Sequence, residues 1–285
     1  MITSDKRIAV IGAGTMGRGI AQVFAQTGYN VCICDVVPAA LESAMGQINK
    51  MLDRAVEKGK MSADDAGAAR KNLHPTAKPA DIGKCPLIVE AATEKLGLKL
   101  ELLKEVQKYL SDGGILASNT SSISITQLAA VTERPDRFIG MHFFNPVPLM
   151  KLVEVVKGLQ TSDETVAEAI AVAKEVGKTP VQCNDHPGFV SNRVLMPMIN
   201  EAAFALQDGV AEAEAIDEIM KLGMNHPMGP LALADLIGVD VCLLILEVLH
   251  RDLGEDRYRP CPLLRKMVYA GLLGRKSKRG FYSYE

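Results

Sequence analysis

The sequence predicts an α/β chain in two parts: a doubly wound, largely parallel sheet carrying an inserted helical hairpin over 1–185, then an all-helical part over 186–285. Three observations carry this. A short apolar strand at 7–11 runs directly into Gly12-Ala13-Gly14-Thr15-Met16-Gly17 and then into helical periodicity at Ile20, Val23 and Phe24. Apolar runs at 30–34, 87–91, 115–118, 138–144, 151–156 and 179–183 are separated by helical patterns or turns, as expected for an α/β sheet. From Phe189 onward the periodic segments, 189–206, 212–222, 231–249 and 263–270, are all helical. The two regimes meet at Asp185-His186-Pro187-Gly188, where proline and glycine stop one element, and His186 reads as a hinge residue.

Bulk properties bound the function. A chain of 285 residues can bury two cores, and a net charge of −2 with pI ≈ 6.2 argues against nucleic acid as a partner, so any anion site must be local. The six cysteines have no metal-ligand spacing, and no metal is expected; with no signal peptide, free thiols in a reducing cytoplasm are the simpler reading. The most apolar stretch, 231–249, carries Asp235, Asp240 and Glu247, which suits a buried helix rather than a membrane span.

Each element then has its own justification. In the first turn, the glycines permit a tight bend, close approach of backbone to a pyrophosphate, and close packing of helix on strand, while the helix N-terminus presents N–H groups to an anion. Gly12, Ala13, Gly14, Thr15, Met16 and Gly17 are therefore assigned to a dinucleotide in a Rossmann-type fold. Asp35 ends the next strand, 18 positions after Gly17, where its carboxylate can accept from the ribose hydroxyls and repel a 2′-phosphate. Val36 and Val37 offer no basic partner for such a phosphate, so NAD is expected over NADP. A helix from 38 to about 59 and a second arm at 63–71 form the hairpin, about 38–72; Lys50, Arg54 and Lys58 share one face of its first arm. They read either as a solvated face neutralised by Asp53 and Glu57 or as an anion site.

Strand 87–91 delivers Glu94 to the carboxyl edge of the sheet, where ligands of doubly wound folds sit, and an amphipathic helix at 98–110 leads through Gly113-Gly114 into strand 115–118. Asn119-Thr120-Ser121-Ser122 follows, suited to capping a helix or to presenting hydroxyls to a ligand. Strand 138–144 contains His142; Asn145-Pro146-Val147-Pro148 forces a turn, and the returning strand 151–156 can bring Glu154 beside His142. A carboxylate next to an imidazole fixes its tautomer and stabilises the imidazolium, which suits a general base, although a hydrogen-bonded core histidine is the plainer reading of that pair alone. A helix at 162–176 and the strand 179–183 complete this part. The apolar 231–249 segment exceeds what a surface helix needs and predicts a homodimer interface in the helical part. The closing Arg275-Lys276-Ser277-Lys278-Arg279 run reads as a solvated tail or as a contact to the phosphates of a cofactor or other ligand, with Lys276 the candidate.

Taken together, GAGTMG, SNTSS at 118–122, HFFNPVPLMKLVEV and GFVSNR at 188–193 closely resemble the L-3-hydroxyacyl-CoA dehydrogenases over nearly the whole chain, from Lys6 to the closing GFYSYE. The resemblance is strongest to the compact bacterial form acting on 3-hydroxybutyryl-CoA. It implies NAD-dependent oxidation of the 3-hydroxyl of an acyl-CoA, and the reverse reduction. His142 would be the acid/base, Glu154 its partner, and Ser121 and Asn192 would hydrogen-bond the substrate. Glu94, Lys99, Asn119 and Asn145 would lie at the cofactor, and Lys50 and Arg54 would hold CoA phosphates. For Glu94 and Lys99 the plain alternative is a cap and an exposed helix charge; for Asn192 it is an amide at a helix start. Stereochemistry at C3 comes from the resemblance alone. Two other classes share the scaffold: β-hydroxyacid dehydrogenases on free acids, whose lysine motif is not found here, and structural or NAD-sensing relatives, which fold alone does not exclude.

Overall fold

A computed structural model describes residues 5–285, which divide between Asp185 and His186 into two compact units. The first is built on one eight-stranded sheet in the order β3-β2-β1-β4-β5-β6-β7-β8. Its strands are β1 (Arg7–Ile11), β2 (Asn30–Cys34), β3 (Leu73–Thr76), β4 (Cys85–Glu90), β5 (Leu110–Ser118), β6 (Phe138–Phe143), β7 (Leu152–Lys157) and β8 (Thr179–Asn184). All neighbouring strands run parallel except β6 and β7. The helices of this unit are α1 (Thr15–Gln26), α2 (Pro38–Glu57), α3 (Ala63–Lys71), α4 (Leu96–Val106), α5 (Ile125–Ala129) and α6 (Asp163–Glu175).

Burial follows position in the sheet. Every residue of β4 and β6 is buried, as central strands covered on both faces require, whereas the residues of the edge strand β8 are exposed or half-buried. Both edge strands carry a proline, Pro75 and Pro180, which removes a ladder donor and blunts the edge against further pairing. That proline, in a strand of only four residues, is also why β3 leaves no readable period-2 signal in the sequence. The strand order reverses between β1 and β4, and this switch point is where doubly wound sheets open a ligand crevice.

The second unit is helical: α7 (Ser191–Gln207), α8 (Ala213–Gly223), α9 (Pro230–Ile237), α10 (Val239–Leu253) and α11 (Pro262–Tyr269). One expectation fails here. The 231–249 segment is two helices, because Gly238 adopts φ +108, a conformation L residues rarely take, and a side chain there would meet Asp240 and Lys276 at 3.0 Å. Nor is the segment buried all round: Leu236 and Leu244 are 48% and 57% exposed. The closing residues are fastened rather than loose. Asp235, 1% exposed, accepts from the Phe281 and Tyr282 N–H groups and the Tyr284 hydroxyl, and Asp217 accepts from the Tyr282 hydroxyl and the first N–H groups of α9. No helix among the described residues is long and apolar enough to cross a membrane.

Candidate active site

The switch point begins with the glycine turn. Gly12 has φ +102, and a Cβ there would lie 2.7 Å from the Ala91 carbonyl oxygen; a Cβ at Gly17 would lie 1.8 Å from the Gly12 oxygen. Gly12 lets the turn pass against the residues that follow β4, and Gly17 lets α1 close on the end of β1. Gly14 differs: nothing lies within 4 Å of its missing side chain, so the backbone there is open to approach. Gly14 is the N-cap of α1, no side chain caps the helix, and its first turn holds no acidic residue. Thr15 and Met16 thus begin a helix whose N–H dipoles suit an anion. The Asp35 carboxylate accepts from the Ala13 N–H at 2.8 Å and from the Val37 N–H at 2.9 Å, one bond to each oxygen. Each oxygen retains acceptor capacity for a ribose hydroxyl, and Val36 and Val37 beside it are exposed and uncharged. An open glycine at an uncapped helix start, followed by an oriented carboxylate, fits an NAD dinucleotide.

Beyond β4 the carboxylates sort into two roles. Glu94 accepts from the Thr120 hydroxyl at 2.8 Å and the Ser121 N–H at 3.3 Å, so it joins the 118–122 segment instead of capping α4. Lys99 is not an exposed helix charge. It is 1% exposed, its ammonium bonds both oxygens of Glu90 at 2.7 Å, and Glu94 lies 4.0 Å away. Glu90, fully buried, also accepts from the Ser118 hydroxyl at 2.7 Å and the Ala92 N–H at 2.8 Å. A buried carboxylate needs such partners, and through them it binds the ends of β4 and β5 to α4. In the sequence the one sign of Glu90 is a charge closing an otherwise apolar strand.

The 118–122 segment is held from three sides. Ser124, not Ser121 or Ser122, caps α5, and Asp185 at the end of β8 accepts from the Ser124 hydroxyl and the Ile125 and Thr126 N–H groups. The amide oxygen of Asn119, a residue 8% exposed, accepts from the Phe143 N–H at 2.9 Å and so ties β5 to β6 one residue beyond His142. Asn119 therefore has a structural duty beside any contact with cofactor.

His142 and Glu154 face each other in the antiparallel β6–β7 ladder, with Nδ1 of His142 2.8 Å from Oε2 of Glu154. Both are buried, at 8% and 3% exposure, and the Phe144 ring lies 4.6 Å from the imidazole. With Nδ1–H donating to the carboxylate, Nε2 carries the lone pair, the tautomer a general base requires. Asn145, exposed, opens the connecting turn; the Asn145–Pro146 peptide is cis.

The remaining candidates lie elsewhere. Lys50 and Arg54 are exposed on α2, and neither has an ion pair among the described residues. Asp53, expected to neutralise that face, pairs with Arg70 of α3 instead. Asn192 is buried in the first turn of α7, and the Lys276 ammonium pairs with Asp240 at 2.5 Å; both belong to the second unit. The six cysteines are free thiols, with burial pushing Cys32, Cys34 and Cys85 up to about 11, so they are not thiolates at neutral pH. No group of acid, cysteine or histidine side chains able to hold a metal occurs among the described residues.

The chain is similar to known proteins along nearly its whole length. Residues 7–186 match the family model for the 3-hydroxyacyl-CoA dehydrogenase NAD binding domain, and residues 188–284 match that for its C-terminal domain. A probable 3-hydroxybutyryl-CoA dehydrogenase of Deinococcus radiodurans is 57% identical over 98% of this chain and 100% of its own length. The 3-hydroxybutyryl-CoA dehydrogenase of Bradyrhizobium diazoefficiens is 49% identical over 98% of this chain and 95% of its own. The crystal structure of (S)-3-hydroxybutyryl-CoA dehydrogenase from Ralstonia eutropha superposes with a TM-score of 0.95 at 50% identity, covering 98% of this chain and 99% of that one. With both family models matched in order along one chain, the protein belongs to the 3-hydroxyacyl-CoA dehydrogenase family of NAD-dependent oxidoreductases.

Proposed function

We propose that the protein interconverts (S)-3-hydroxyacyl-CoA, with the short-chain 3-hydroxybutyryl-CoA as preferred substrate, and the 3-ketoacyl-CoA. The observation that carries the chemistry is the buried 2.8 Å contact of His142 with Glu154. The substrate class draws support from relatives and a solved structure bearing that activity in their names. A nicotinamide held at the site would supply the hydride donor or acceptor for C3. His142 Nε2 removes the hydroxyl proton in oxidation, and the imidazolium returns it to the carbonyl oxygen in reduction. Glu154 balances the imidazolium charge and holds the ring. Ser121 and Asn192 hydrogen-bond the substrate oxygen and polarise the carbonyl. The 12–17 turn would hold the pyrophosphate and Asp35 the adenosine ribose, with Glu94, Asn119, Asn145 and Lys276 completing the cofactor set and Lys99, buried against Glu90, supporting it from behind. Lys50 and Arg54 meet the CoA phosphates. The second unit, 186–285, serves substrate binding and homodimerisation, its exposed Leu236 and Leu244 offering apolar surface for the latter, and the enzyme works in the cytoplasm.

The test is NADH oxidation with acetoacetyl-CoA beside free acetoacetate, repeated with NADPH. Turnover with the CoA ester and NADH, and little in the other two arms, is expected. Preference for the free acid would refute the CoA anchor, and NADH binding without turnover would move a structural or sensing role to the front.

A further inference from the structure

The connection from β6 to β7 carries Asn145 and begins two residues after His142, so its shape bears on the site. Within it, the Pro146 carbonyl accepts from the Leu149 N–H at 2.9 Å and the Met150 N–H at 3.0 Å, which closes 146–150 into a turn. The Val147 and Met150 carbonyls are not used by that turn. Both accept from one side chain, the ammonium of Lys178, which lies 2.8 Å from the Met150 oxygen and also bonds that of Val147. Lys178 stands between α6 and β8, is 9% exposed, and has no carboxylate at ion-pair distance among the described residues. The turn also meets α1. Val147 is 2% exposed, and a Cβ at Gly19 would lie 2.9 Å from its Cβ, so only glycine lets the helix come this close.

A buried ammonium without a counter-ion is costly, and burial depresses the Lys178 amine below the usual lysine value. An apolar residue would fill the space without that cost. What lysine adds is a long stem with three donors at its end, enough to serve two backbone acceptors that the turn itself cannot satisfy. We infer that Lys178 is a positioning residue for the reaction: acting through the 146–150 turn, it fixes Asn145 and the end of the His142 strand against α1. The inference rests on the acid/base reading of His142.

Lys178→Met and Lys178→Arg are compared with the parent for kcat, KM and the number of NADH sites by fluorescence titration, so that misfolded protein drops out. The expected result is kcat per site lower by about tenfold or more in Lys178→Met, KM for acetoacetyl-CoA within about threefold, and substantial recovery in Lys178→Arg, as loss of two charge-assisted bonds implies. Parent-like kcat in Lys178→Met, or no recovery in Lys178→Arg, would overturn the inference. If Lys178→Met yields no folded protein, Gly19→Ala takes its place, because it keeps Lys178 and pushes on Val147 from α1. Lower kcat per site supports the clamp, and unchanged kcat overturns it. A parent protein with no turnover would instead refute the reading of the His142 site.

Discussion

Replacing Glu154 by glutamine separates the charge of the His142–Glu154 pair from its hydrogen bond. Glutamine has the same reach, so an acceptor remains for Nδ1–H while the negative charge is gone. The two groups touch at 2.8 Å and are buried, so their charge centres lie about 4 Å apart. At an effective dielectric of about 20, that places the attraction between carboxylate and imidazolium near ~4 kcal/mol. The neutral hydrogen bond that glutamine keeps is worth ~1 kcal/mol, leaving about 3 kcal/mol lost when the imidazolium forms. Since each 1.36 kcal/mol is tenfold, kcat for oxidation should fall by about 10²-fold. The assay is initial rate with 3-hydroxybutyryl-CoA and NAD, with NADH appearance followed by absorbance and KM measured in parallel. Because the charge matters as the proton moves and not when substrate binds, KM should change little. A kcat within about threefold of the parent would refute the pair as a charge-balanced acid/base. An unchanged kcat with a large rise in KM would show that Glu154 acts in binding.

Asp35→Ser removes the charge that repels a 2′-phosphate and should raise the ratio of kcat/KM for NADPH over NADH by about tenfold or more; an unchanged ratio would remove Asp35 from the ribose site. Lys50→Gln and Arg54→Gln should each raise KM for acetoacetyl-CoA severalfold while leaving KM for an acetoacetyl-pantetheine thioester unchanged. An equal rise with both substrates would mean that α2 does not meet the CoA nucleotide. Glu175 lies 2.6 Å from the Tyr29 hydroxyl and 2.9 Å from the Lys6 ammonium, and these bonds, the tyrosine's first, hold its carboxyl below the ordinary 4.5. A depressed carboxyl contributes stability above its unfolded pKa and loses it as pH falls through the folded one. Tyr29→Phe should therefore lower Tm at neutral pH, with the gap to the parent narrowing below about pH 4.5, as thermal scans across pH would show. A gap that is constant or widens toward acid would refute this linkage.

Local rules sufficed wherever an element carries its own signal. The strand–GAGTMG–helix unit, the hairpin arms and the helical run after Pro187-Gly188 are legible because glycine, proline and apolar period act over a few residues. His142 and Glu154 could be paired on paper because a proline-bearing turn joins their strands. Other features exist only in three dimensions. β3 is a strand because Val31, Cys32, Ile33 and Cys34 offer it an edge, and no four-residue stretch containing proline announces that. The 231–249 segment reads as one apolar helix; it breaks at Gly238, whose φ of +108 leaves helical geometry, and the folded chain leaves no room there for a side chain beside Asp240 and Lys276. Nothing in the sequence marks Lys99 as buried; folding places it against Glu90, nine positions earlier and on another element. Lys178 meets Val147 and Met150 from about thirty positions away. The sequence by itself thus determined the fold class, the cofactor turn and the acid/base candidates, since backbone geometry and hydrophobic period are short-range. Only the tertiary structure decided which charges are buried and what each one holds, because desolvation and hydrogen-bond partners belong to the packed chain.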